Sequence, residues 1–186
     1  MFYRPMNTTN KIIIPKFKEI IIKALQYFPE LKNTHITFIE KKRFHFTMAS
    51  LINRKSLFGP RAKRSYTIII NTKVPEEFDH GLFSKLPKNL QIGMIGHELS
   101  HVVDYQQRNI FEVIKILIFY LIPSRKQKFE RSIDTIAIKH GMWPYLHGFY
   151  THLISKNPHT TKKFMESYLN DDQIKELTYK LTGKKI

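Results

Sequence analysis

The sequence predicts an α+β protein: a small, twisted, mostly antiparallel sheet followed by a mainly helical half. Two observations carry this. Between His35 and Asn71 the apolar positions are β-branched or aromatic and occur in short runs, whereas from Leu86 onward apolar residues recur at helical spacing to the end of the chain. At 186 residues, with 42% hydrophobic and 13% aromatic side chains, the chain fits one domain over 1–186 with a substantial core.

The elements follow in order. From Pro15 to Phe28, Lys residues alternate with Phe17, Ile20, Ile21, Ala24, Leu25 and Phe28, an amphipathic helix with Pro15 suited to its first turn. Strands are expected near 36–40 and 43–50, joined by the polar stretch Glu40-Lys41-Lys42-Arg43. After a basic loop containing Gly59-Pro60, a third strand covers 66–71. A long helix then runs from about Leu86 or Pro87 to Gln107, with Ile92, Ile95, Leu99 and Val102 on one stripe and Met94, His97, His101 and Asp104 on another. Gly93 and Gly96 are poor helix formers, so they imply a close backbone approach, to the sheet or to a cleft.

Ile110 to Ile122 is almost wholly apolar but, at 13 residues, shorter than the ~20 a helix needs to cross a bilayer. A buried core helix is the expectation, with a membrane-surface element as the alternative. Pro123 ends it, and Ser124-Arg125-Lys126-Gln127 offers a capping box for a helix reaching about His140, closed by Gly141 and Pro144. Pro144 starts a further helix through Ser155. Asn170-Asp171-Asp172-Gln173 offers a second capping box for a last helix ending near Thr182.

Cysteine is absent, which excludes disulfides and thiolate metal sites and leaves His, Asp and Glu as the only strong ligands. The formal charge of +16 admits contact with nucleic acid or an anionic membrane surface. Yet the lysines are spread through every segment among many Ile and Asn residues, as an AT-rich coding sequence produces, and only 54–64 and 125–128 form local basic clusters. The N-terminal stretch lacks the apolar run of a signal peptide, which points to the cytoplasm, with peripheral membrane association as the qualification raised by 110–122.

The chemistry centres on His97-Glu98-Leu99-Ser100-His101, an HExxH pentapeptide placed mid-helix. Residues i and i+4 share a helix face, so both imidazoles can bind one zinc ion while Glu98 stands beside them as a general base. A catalytic zinc needs a third protein ligand and an open position for water. The extended form HExxHxxGxxH would need glycine at 104 and histidine at 107, where the chain has Asp104 and Gln107. The alternative is a carboxylate on a later helix, and Glu130 with Asp134 one turn on offers a ligand and a partner for a histidine ring N–H. Asp104 shares the ligand stripe and is a candidate outer partner.

Together these residues resemble the gluzincins, in which HExxH is followed on a later helix by ExxxD. The stretch Glu130-xxx-Asp134-xx-Ala137-xxx-Gly141 is similar to the ExxADxxAxxxG pattern of the HtpX and CAAX prenyl protease-like group, with Ser132-Ile133 where that group has a small residue before Asp. The resemblance covers about residues 87 to 141. It implies a minimal zincin-like metallopeptidase domain, one zinc per chain held by His97, His101 and Glu130, and Asp134 supporting a ligand histidine; membrane-integral members of that group carry transmembrane helices, which this sequence is not expected to contain. It further implies a peptide or protein substrate laid along a sheet strand, for which 66–71 is the nearest in sequence, and an oxyanion donor downstream. Tyr145, His147, Tyr150, His152 and Tyr168 are available for that role, and His147 and Tyr150, which share a helix face, are preferred. The competing reading is a non-catalytic basic module on the same scaffold that binds nucleic acid or an acidic protein. Glu98 counts against it, because a structural metal site needs ligands but no general base.

Overall fold

A computed structural model describes residues 9–42, 47–156, 166–183 and 185. It shows an α+β fold with a four-stranded mixed sheet. Its strands are β1 (Lys11–Ile12), β2 (His35–Lys41), β3 (Met48–Ile52) and β4 (Ser65–Asn71), in the order β1-β2-β4-β3. The expectation of a mostly antiparallel sheet is corrected: β1 and β2 are parallel, β2 and β4 are parallel, and only β3 and β4 are antiparallel. Glu40 and Lys41, expected in a turn, belong to β2, which pairs them with Ile70 and Asn71 of β4. Strand β4 thus enters between the two strands that precede it and separates them. Of the stretch expected as strand 43–50, residues 43–46 lie outside the described residues.

Strand alternation builds one buried face. Ile36 and Phe38 of β2, Tyr66, Ile68 and Ile70 of β4, and Met48 and Ser50 of β3 are cross-strand partners on the side that meets the helices. One member of that set is polar, Ser50, and its position matters below. Tyr66 is fully buried, and burial pushes its phenol up to about 12.

The helices are α1 (Lys18–Leu25), preceded by a 3-10 turn at Pro15–Phe17, α2 (Arg54–Leu57), α3 (Lys88–Gln107), α4 (Ile110–Phe119), α5 (Pro123–Lys139), α6 (Trp143–Lys156) and α7 (Asp171–Thr182). Helix α3 runs through the centre, packed by α1, α5, α6 and β3, and is buried on nearly every side from Leu90 to Tyr105. Its C-terminal carbonyls receive cations from the basic loop: Arg64 donates to the carbonyls of Tyr105 and Arg108, and Arg61 to that of Gln107. Part of the 54–64 basic cluster therefore caps a helix.

Capping differs in part from expectation. Asn170 and Gln173 form the box expected at α7. The box expected at Ser124 does not form, because Pro123 takes the first helical position and draws Ser124 into the first turn. A box not anticipated opens α4, where Asn109 accepts from the Glu112 backbone and the Glu112 carboxylate accepts from the Asn109 N–H. The expectation that α4 is a buried core helix is also corrected: only Val113 and Ile116 are buried, while Phe111, Ile114, Leu117 and Ile118 are exposed.

The glycines of α3 mark an approach to α6 and to the turn before it, and not to the sheet. A Cβ on Gly93 would lie 2.8 Å from the Tyr145 carbonyl oxygen, and one on Gly96 would collide with the Met142 side chain. Backbone cannot yield as a side-chain tip can. Gly93→Ala is therefore expected to lower stability by about 1–3 kcal/mol, despite the roughly 1 kcal/mol that helix propensity favours alanine. Urea unfolding measures this, and an unchanged midpoint would show that α3 and α6 part without cost.

Candidate metal centre

Helix α3 presents His97 and His101 one turn apart toward α5, whose Glu130 is turned inward and buried. The imidazole Nε2 atoms of His97 and His101 lie 3.3 and 3.5 Å from Glu130 Oε2. One ligand atom from each of the three residues falls within 4.8 Å of the others, a group that could hold a metal ion. Their chemistry fits a cation. With its Nδ1 proton donated to a carboxylate, a neutral His97 aims an Nε2 lone pair at a carboxylate oxygen, an arrangement that requires a proton or a metal ion between them.

That carboxylate is Asp134, which is 0% exposed. Its Oδ1 accepts from His97 Nδ1 at 2.9 Å and from the Tyr150 hydroxyl at 2.8 Å, and its Oδ2 accepts the Leu169 backbone N–H at 3.0 Å. Three donors fix the carboxylate, and the carboxylate fixes the ring. The Tyr120 hydroxyl, just beyond α4, donates to Glu130 Oε1 at 2.7 Å and leaves Oε2 directed at the histidines. His101 differs from His97: among the described residues its buried Nδ1 has no hydrogen-bond partner, and its ring stacks on Tyr105 with centroids 5.9 Å apart.

The electrostatics agree. Burial alone would lower the pKa of His97, but hydrogen bonds to Asp134 and Glu130 outweigh it and hold the value well above the usual histidine range. Burial would raise Glu130, but the hydrogen bonds and charges of His101 and His97 hold its carboxyl well below the usual carboxylate range. Burial and the Glu130 charge push the Tyr120 phenol up, so it remains a donor.

Glu98 is buried beside this triad. The Ser50 hydroxyl lies 2.8 Å from both the Glu98 backbone carbonyl and Glu98 Oε2, tying the carboxylate to β3. The cavity over these groups has a volume of about 420 Å³, and its walls include Ser50 and Leu51 of β3, Leu117 of α4, and Tyr120, Tyr150 and Tyr168. Strand β3 lies at the edge of the sheet and borders the cavity, whereas β4, expected to receive a substrate, is interior and paired on both sides.

The other expected residues are placed as follows. Tyr150 lines the cavity, but its hydroxyl is committed to Asp134. His147 pairs with Asp171 of α7 and is not part of the cavity wall. Asp104 is engaged by Arg108, at 2.6 Å to Nε and 2.8 Å to Nη2, one turn along the same helix. Tyr145 meets Tyr27 at 3.2 Å. Tyr168 is in the cavity wall, its ring centroid 5.6 Å from that of His97. Burial, with the charges of Glu130, Asp134 and Glu98, pushes its phenol up and keeps it protonated.

Sequence reasoning missed Ser50 and Tyr120. Ser50 had a signal, a polar residue at an inward position of a strand whose neighbours at 48 and 52 are apolar. Tyr120 had none, since it closes an apolar run. No protein-family model, curated protein or solved structure matches this chain.

Proposed function

We propose that the chain is a zinc-dependent metallopeptidase of the gluzincin type, on a minimal zincin-like scaffold. The observation that carries this is the convergence of His97, His101 and Glu130 with the carboxylate of Glu98 beside them, in a cavity bordered by an edge strand. Two imidazoles and one carboxylate suit zinc, with a coordination position left for water or substrate. When bound, zinc supplies a Lewis acid that polarises a peptide carbonyl and acidifies a water molecule.

The residues then have distinct roles. Strand β3, at the edge of the sheet among the described residues, takes an extended peptide by main-chain hydrogen bonding, which selects backbone over side chain. Glu98 accepts a proton from the attacking water as the new C–O bond forms, and delivers that proton to the leaving amine as the C–N bond breaks. Ser50 holds the Glu98 carboxylate in place. Tyr168, protonated and in the cavity wall, joins Tyr150 as a candidate donor to the developing oxyanion.

The experiment is metal analysis of the purified chain combined with hydrolysis of an unfolded protein substrate, before and after chelation. The expected result is about one zinc per chain, activity lost with the chelator and restored by added zinc. A chain that neither carries nor takes up zinc at neutral pH overturns the reading.

A further inference from the structure

Helix α4 is apolar except for Glu112 and Lys115, yet it has only one packed face. Val113 and Ile116 turn inward, and the helix packs principally on α5. Phe111, Ile114, Leu117 and Ile118, continued by Leu121, are 79%, 45%, 65%, 48% and 81% exposed. Their spacing of three or four residues gathers them into one outward stripe. A stripe of five large apolar side chains exceeds the scattered single residues normal on a protein surface and marks a surface for association.

The surroundings state what kind. Lys115 and Arg125 reach over the Phe119 ring at 5.9 and 5.7 Å, and Lys126 over the Tyr120 ring at 5.8 Å, so cations rim the stripe. Lys128 follows, exposed. Between Ile110 and Lys128 the only acidic residue is Glu112, which is engaged in the capping box of α4. A second copy of the chain would bring two such cationic rims, each on a chain of formal charge +16, into opposition. A surface with apolar depth and anionic headgroups satisfies both the stripe and its rim.

We infer that α4 and the Leu121 turn form a docking face for an anionic lipid bilayer, with Phe111, Ile114, Leu117, Ile118 and Leu121 inserted to the depth of the headgroup–acyl boundary and Lys115, Arg125, Lys126 and Lys128 on the headgroups. The attachment is interfacial: no helix among the described residues is long and apolar enough to cross a membrane. Leu117, Tyr120 and Lys126 also border the metal-centre cavity, so docking sets that cavity beside the bilayer. The inference stands whether or not the centre holds zinc.

The test is flotation of the full chain with vesicles of phosphatidylcholine alone and with equimolar phosphatidylcholine and phosphatidylglycerol. Wild type should float with the second and not the first, and raised salt should weaken the binding. Phe111→Ser/Leu121→Ser, at two highly exposed positions, should keep its circular dichroism and melting temperature while its partition falls about a hundredfold. Wild type that fails to float with the anionic vesicles overturns the inference without reference to any variant. So does a double variant that floats as wild type does, or a sedimenting wild-type dimer that the double variant dissociates.

Discussion

In the proposed metallopeptidase, Glu98→Gln should lower kcat for peptide hydrolysis by about 10³-fold while leaving zinc content and KM nearly unchanged, since general acid–base groups contribute roughly 10²–10⁴-fold. The structure explains why the two effects should separate. Glu98 is not one of the three converging ligands, and its Oε2 is held by Ser50 instead. Glutamine keeps the size of the side chain and can still accept from Ser50, but it cannot take a proton from water. Steady-state kinetics with metal analysis on the same preparation measures both quantities. Retained kcat in the variant would remove Glu98 from the reaction, and lost zinc would make it a ligand.

Glu130→Ala should weaken zinc binding by about 10²-fold or more. Structural zinc sites bind with about 10–16 kcal/mol from four ligands, so one ligand is worth roughly 3 kcal/mol. Competition with a chromophoric chelator reads this directly, and an unaltered affinity would place the third ligand elsewhere. Asp134→Ala is the informative companion. It frees the His97 ring and should cost about 10–100-fold in metal affinity. It also leaves His97 Nδ1, the Tyr150 hydroxyl and the Leu169 N–H without their acceptor, at about 1–3 kcal/mol for each buried group stranded. The two variants therefore differ in kind: Glu130→Ala acts mainly on metal affinity, and Asp134→Ala on affinity and stability together. In the metal-free chain the raised pKa of His97 keeps a second proton on the ring and blocks its ligand nitrogen, so zinc affinity should climb as pH rises through and above the ordinary histidine range.

Much of the candidate site was legible in the sequence because it rests on helical periodicity. His97 and His101 share a face by their spacing, Glu130 and Asp134 share another, and both helices are long enough for the period to be read. The residues that hold these four were less legible. Ser50 reaches Glu98 from a strand 48 positions away, Tyr120 reaches Glu130 from the end of an apolar helix, and Leu169 reaches Asp134 through a backbone N–H that no side-chain pattern announces. Asp104 lies on the ligand stripe, yet Arg108 one turn on claims it. His147 and Tyr150 were sought as oxyanion donors and are taken by Asp171 and Asp134.

The sequence by itself determined the α+β character, the span of the central helix and the spacing of the candidate ligands within each helix, since each is a local property of period and spacing. Tertiary structure alone decided strand order and direction. Hairpin expectations assume that consecutive strands pair, but β4 enters between β2 and β3, so β3 becomes the edge that borders the cavity. It also decided the fate of the apolar stretch after α3. An apolar run shows how strongly a helix resists water but not whether the rest of the chain supplies enough surface to cover it. Here α5 covers one face of α4 and the opposite face stays exposed.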